Sequence, residues 1–358
     1  MHFQKLHKTN LWRSGMMLAA TSLISALTAQ GQQGRSILVV TSTNNASSNA
    51  AVVFNLNPGS TRSLSLQQTL PTGGQGGAAG TAGNLQFENN LGAVANFGSN
   101  TVTQLVRKGN LIRIGSTIHL ASECEQPDSL ALAQNHLFVV GANCAEVHSW
   151  PEGYVDGPVV SLPDSTAMQI AVGQTWAAVT LGSGSLLQLP LTPNGALSGA
   201  STELTLPSDA DSAPLGAGFW GDILGFTPAH SVDSFAIVNN SGEIFPITGP
   251  APAFPSNAPC WVAKGPGNVW YTGNAAGDAI SEFFSDSKGG AFYKSVPLPG
   301  SPTDVTVSPD QKWLAVIYTS GGEGYVAVFS IDGFGDLTLV STSSSIGVPA
   351  FHGLAISE

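Results

Sequence analysis

The sequence predicts an all-β chain folded as a seven-bladed β-propeller whose ring is closed by the C-terminal strand joining the N-terminal blade. Three observations predict it. Short strand patterns alternate with glycine-containing hairpins throughout residues 36–358, the hairpin glycines recur at a near-constant interval, and the two ends of that region are complementary fragments of one unit. Composition agrees: charged residues are 10% of the chain, against about 25% in ordinary soluble domains. A surface of salt-bridged helices is therefore excluded. The 42 Gly and 22 Pro among 358 residues fall short of low complexity, and 42% apolar residues supply a core. One conventional core stops growing near ~250–300 residues, so a chain of 358 needs two domains or a repeat array.

In chain order, residues 1–29 come first. They hold Lys5, Lys8 and Arg13, no acid, and an apolar run of small residues from Gly15 to Ala29. That arrangement describes a secretory signal peptide, too short for a comfortable membrane span. Residues 30–35 then form a linker before the domain at 36–358. Loss of the three cations deepens the formal charge from −11 to −14, which excludes nucleic acid and anionic lipid as partners. The expected protein is secreted or periplasmic, a monomer off the membrane, with a small molecule or an extracellular partner as its ligand.

Each unit opens with a short alternating strand, a turn, and a more continuously apolar strand. Copies run over 84–87 with 91–95, 129–133 with 136–140, 168–172 with 176–179, 259–263 with 268–271, and 304–310 with 313–318. Runs this short, rich in Val, Ile, Trp and Phe and bounded by Gly, Asn and Pro, are strands. Hairpins follow at 54–60, 105–111, 148–159, 189–197, 244–249, 284–292 and 329–337, several around Asn-Gly or Asp-Gly, which favour the left-handed turn conformation. Their glycines, Gly59, Gly109, Gly157, Gly195, Gly249, Gly289 and Gly335, are separated by 50, 48, 38, 54, 40 and 46 residues, the length of one four-stranded blade. Residues 36–41 read as a second strand without a first, and 351–357 as a first strand without a second. Joining them completes the seventh blade and removes two open edges.

Cys124 and Cys144 lie 20 residues apart in loop-like settings, and a bridge between them closes a loop worth roughly 3 kcal/mol in the chain-entropy account. Cys260, beside Pro259 and Trp261, reads as a buried free thiol. Three cysteines without CxxC spacing exclude a zinc site.

The stretch Ala95-Asn96-Phe97-Gly98-Ser99 before an alternating strand, and the Phe329-Ser-Ile-Asp-Gly-Phe-Gly-Asp-Leu337 hairpin, resemble the seven-bladed β-propeller lactonase family, which includes 6-phosphogluconolactonase-like and carboxymuconate lactonising enzyme-like proteins. Propellers with YVTN-type repeats share much of this pattern. The resemblance implies action on a lactone or cyclic ester. The chain departs from it where catalytic groups are expected: Gln126-Pro-Asp128 stands in place of a histidine-rich entry, Ser165-Thr-Ala-Met168 in place of Pro-Arg-His, and Thr180-Leu-Gly182 in place of an Asn-Glu ending. No family catalytic residue carries over.

The candidate catalytic residues are His352, at the start of the closing strand, and Asp304, at the start of an inner strand. A neutral imidazole or a carboxylate there can accept a proton from water attacking an ester. Asp128, Asp222 and Phe351 are expected at the channel opening, where carboxylates and carbonyls could also hold Ca²⁺ with its ~6–8 oxygen ligands; no cofactor is required. Trp150, Phe219 and Trp220 are further rim aromatics. The alternative is a non-catalytic scaffold presenting its rim to a protein, glycan or cell-envelope partner. Between Arg113 and Lys264 there is no Lys or Arg, so an anionic substrate would draw its cations from Arg35, Arg62, Arg107, Lys108, Arg113 or the last third of the chain.

Overall fold

The structure, a computed structural model, describes residues 36–57, 64–77, 82–206, 214–221, 223–227, 234–239, 244–248, 258–286, 289–347 and 351–358. The expected signal peptide and linker lie outside them, as do Asp222, Gly59 and Gly249. The described strands form seven four-stranded antiparallel sheets. Their innermost strands are His352–Ser357 in the first blade, then Leu85–Glu88, Ser129–Ala133, Ala167–Val172, Ala217–Trp220, Pro259–Lys264 and Ser301–Val307 in blades two to seven. Each inner strand touches the next around the ring, and the seventh touches the first.

The sequence patterns follow from where each strand stands in its sheet. Second strands such as Ile37–Ser42, His136–Gly141, Trp176–Leu181 and Val269–Asn274 are buried at every position, because blades pack against them from both sides. They read as unbroken apolar runs. Outer strands such as Leu64–Pro71 are mostly exposed and read as polar. The core is accordingly a set of slabs between neighbouring blades: Phe138, Val147, Leu187 and Leu189 fill one, while Val39, Phe54, Ile317 and Val328 fill the slab between blades one and seven.

Closure occurs as the sequence predicts. Leu38 pairs with Ser357, Val40 with Ala355 and Thr41 with Leu354. Phe351, Leu354 and Ile356 enter the slab beside Val39 and Ile317. Arg107 of the second blade, 3% exposed, clasps the join: Nη1 donates to Ser357 Oγ (3.0 Å), Nη2 to Ser36 O, and Nε to Gly109 O (2.8 Å). A buried amide and hydroxyl network rivets blades one and two. Asn49 Nδ2 donates to Asn96 Oδ1 (3.1 Å), Thr72 Oγ1 to the same oxygen (2.7 Å), and Asn96 Nδ2 to Thr103 Oγ1 (2.9 Å). Every member is satisfied, so the burial of these polar groups is compensated.

Cys124 and Cys144 are joined, and Cys260 is free and buried. The bridge ties the loop entering blade three to its third strand, Cys144–Ser149, and Glu146 repeats the tie by accepting the Ala121 N–H (3.0 Å). His148 sits between Glu146 Oε1 (2.6 Å) and Gly153 O (3.0 Å), with both side chains of the pair fully buried.

One hairpin is corrected. Residues 244–249 read as a hairpin around Gly249, yet Ile244–Thr248 is itself the outer strand of blade five and pairs with Ser234–Val238. Pro246 is tolerated there because an outer strand has one free edge.

Removing residues after Gly347 strips three large apolar side chains from the closing slab, and a loss of several kcal/mol is expected at ~1.5–3 kcal/mol each. Urea unfolding that matches the full-length chain would refute the closure. Gly353 holds φ +78°, and a Cβ there would lie 2.1 Å from Asn84 Oδ1 and 2.7 Å from the Leu85 nitrogen. Gly353→Ala is expected to cost about 2 kcal/mol or more, seen as a lower urea midpoint.

Candidate functional site

Four inner strands, those of blades four, six, seven and one, carry a one-residue bulge near their start, at Met168, Cys260, Thr303 and Gly353. A bulge breaks the two-residue alternation and re-aims the side chain that follows it. The following residues are Gln169, Trp261, Asp304 and Leu354, and all four line one cavity of about 200 Å³ on the ring axis. Blade two adds Gly83 and Gln86, blade five Ala217, blade six Lys264 and blade seven Thr306.

Asp304 is 4% exposed. Its Oδ1 accepts the Val305 N–H (2.8 Å), its carboxyl also takes the Gly353 N–H from the closing strand, and Oδ2 has no partner. Burial pushes its pKa up to about 7, and the two backbone donors oppose this only in part. The result is an acid able to exchange a proton near neutrality in a small polar chamber.

Across the chamber stands a pair of carboxamides. Gln169 Oε1 accepts the Ala217 N–H (2.7 Å), which turns its Nε2 inward. A Cβ at Gly83 would lie 3.1 Å from Gln86 Nε2, 3.2 Å from Ser129 Oγ and 3.4 Å from Gln169 Nε2. Glycine with φ +74° keeps that space open, so two amide N–H₂ groups converge on room a ligand oxygen can take. Lys264, which ends the inner strand of blade six, is the one basic residue among those that line the cavity in the described structure.

His352 lies at the start of the closing strand with Nδ1 buried and without a partner, and desolvation lowers its pKa, which favours the neutral ring. It is beside Gly353 but is absent from the cavity wall, and no hydrogen bond joins it to Asp304. Asp128 precedes the inner strand of blade three, 8% exposed, with its pKa pushed to about 7 by burial; it stands away from the cavity. Phe351, expected at the channel, is instead 6% exposed in the slab between blades one and seven. Trp150, expected at the rim, is 7% exposed in the core, and Phe219 packs edge-on against Trp176 at 4.8 Å. Trp220 is 44% exposed. The carboxylates named for a calcium ring are divided among blades three, seven and the undescribed Asp222; among the described residues no three His, Cys, Asp or Glu side chains converge on a metal position.

Gln86, Gln169 and Lys264 were not singled out by the sequence reading. The available signal was a long polar side chain inside an otherwise apolar inner strand, and, for Lys264, the first cation after 150 residues without one.

No family model matches the chain, and no curated protein matches it by sequence. Among solved structures, a periplasmic gluconolactonase of Pseudomonas aeruginosa superposes with TM-score 0.64 at 16% identity, over 90% of this chain and 99% of the other. A Bacteroides fragilis protein provisionally named a 6-phosphogluconolactonase gives 0.63 at 13%, over 91% and 99%. Virginiamycin B lyase of Staphylococcus aureus gives 0.54 at 14%, over 78% and 94%. At these identities the likeness is one of fold, and proteins of this fold carry different chemistries.

The raised pKa of Asp304 sets a pH signature. The folded state holds the proton up to about pH 7, the unfolded state only to the ordinary 3.8. The stabilisation is complete below about pH 4, declines through the window from 4 to 7, and is gone above it; 1.36 kcal/mol per unit caps the loss at roughly 4 kcal/mol. Asp304→Asn cannot ionise, so it is expected to resist urea better than wild type at pH 8 and no better at pH 4.5. Identical pH profiles for the two proteins would show that Asp304 is not held as a buried acid.

Proposed function

We propose that the protein is a lactonase-like hydrolase that opens a neutral, hydroxyl-bearing cyclic ester inside the channel. The observation that carries this reading is Asp304, a buried carboxyl with one unpartnered oxygen, facing a converging pair of amide donors across a cavity that fits one small molecule. Above about pH 7 its carboxylate takes a proton from water as the water oxygen attacks the ester carbonyl. The carbonyl oxygen, gaining negative charge, is met by N–H donors of Gln86 and Gln169. The ring C–O bond then breaks, and the leaving oxygen takes the proton back from Asp304 as a hydroxyl.

Neutral substrates fit the available charges. Arg107, one of the few cations near the entry blades, is committed to the ring closure, while Lys294 and Lys312 are paired with carboxylates. A phosphorylated or dicarboxylate ligand would meet one lysine and a buried acid. Export to the periplasm or cell exterior accords with the disulfide and with the basic, then apolar leader at 1–29. The reading requires neither a metal nor a second subunit.

A panel of neutral lactones, followed by acid release, tests it. Turnover of at least one is expected, with kcat rising to a plateau above about pH 7. Asp304→Asn should lose about 100-fold or more, and His352→Ala, absent from the cavity wall, less than about tenfold. Failure of every lactone, or full activity in Asp304→Asn, would end this reading.

A further inference from the structure

Two of the four described lysines are held in ion pairs. Lys294 pairs with Asp336 and Glu282, and Lys312 with Asp310. Lys264 has no carboxylate partner among the described residues. Its Nζ lies 5.4 Å from the ring centre of Trp220 and 5.5 Å from that of Trp270, and donates to Gly265 O (2.6 Å) and Gly267 O (2.5 Å). The residue is also one of those that line the axial cavity. Two acceptors match the two N–H bonds of a neutral amine and leave its lone pair uncommitted. The indole faces and the carbonyls favour the ammonium form, and burial opposes it; burial prevails, lowering the pKa to about 8.

We propose that Lys264 is a nucleophilic amine on the channel wall that condenses reversibly with small neutral aldehydes, such as the open-chain form of a short aldose. The amine nitrogen attacks the aldehyde carbon, the carbinolamine forms, and loss of one water leaves the imine, with no oxidant or reductant consumed. A cavity of about 200 Å³ limits the aldehyde to a few carbons. Gln86, Gln169 and Thr306 offer partners for its hydroxyls, and ionised Asp304 opposes an anionic aldehyde. This chemistry is independent of the ester hydrolysis proposed above and stands if that reading falls.

The experiment uses the folded full-length chain with glyceraldehyde and cyanoborohydride, which reduces the imine to a stable secondary amine. Peptide mass spectrometry then gives a rate for each lysine. At pH 7.5 Lys264 is expected to be labelled at least about tenfold faster than Lys312, because a far larger fraction of its amine is unprotonated. Its rate should level off near pH 8 to 9 while that of Lys312 keeps climbing. Lys264→Arg keeps a donor for the two carbonyls and should abolish the fast site without altering the urea midpoint. Labelling of Lys264 no faster than Lys312, or only after unfolding in urea, would overturn the proposal and leave Lys264 as a lock for its turn. A fast site persisting in Lys264→Arg would overturn it equally.

Discussion

The antiparallel pairing of His352–Ser357 with Ile37–Ser42 is the interaction on which the rest of the molecule depends. Without it, the faces of blades one and seven would lie open and the axial chamber would have a missing wall. The pairing also builds the site chemically, because the closing strand supplies the Gly353 N–H to Asp304. The bulge at Gly353 frees that N–H from the ladder, and the positive φ makes glycine the residue that allows it. Arg107 completes the join by satisfying Ser357 and the Ser36 carbonyl from the neighbouring blade. A scarce charge is thereby spent on architecture and withheld from ligand binding.

Polar groups in the ring divide into two kinds. Those between blades one and two, Asn49, Thr72, Asn96 and Thr103, exchange hydrogen bonds until none is wanting, and they fix the angle between the blades. Asp304 Oδ2, on the inner strand of blade seven, and His352 Nδ1, at the start of the closing strand, are buried without partners. The other buried side-chain atoms without a partner among the described residues, Ser36 Oγ, Thr41 Oγ1, Asn55 Oδ1, Asn84 Oδ1, Trp150 Nε1, Trp176 Nε1 and Glu282 Oε1, stand outside the cavity wall, so Asp304 Oδ2 is the one that a molecule in the cavity could satisfy.

The sequence disclosed the blades well because each strand's burial leaves a readable trace: unbroken apolar runs where two blades press on a strand, alternation or polarity where one side faces water. Asn-Gly and Asp-Gly turns marked the hairpins, and the orphan strands at 36–41 and 351–357 disclosed closure. Blade five escaped, since Pro246 in an outer strand mimics a turn. The site was legible only in part. Asp304 could be placed at the start of an inner strand, but its direction depends on the bulge at Thr303, and bulges leave no fixed residue signature. Phe351 and Trp150 were misplaced for the converse reason: a large aromatic near a loop looks like a rim residue, and only the depth of the slab behind it shows otherwise. Gln169 acquires its meaning from Ala217, 48 residues later, a contact no local pattern encodes.

The geometry of the closing pair also sets how the ring responds to tension. Leu38 faces Ser357, so the first described residue of the domain and the last leave the sheet side by side at one end of the same antiparallel ladder. A pull applied between them loads the hydrogen bonds singly, from the open end inward, because ladder bonds run across the strands. The join therefore unzips under force where a sheared pair would resist with all its bonds together. A ring that is thermodynamically shut can be opened mechanically at one seam, and the first protein group uncovered by that opening is the clasp of Arg107.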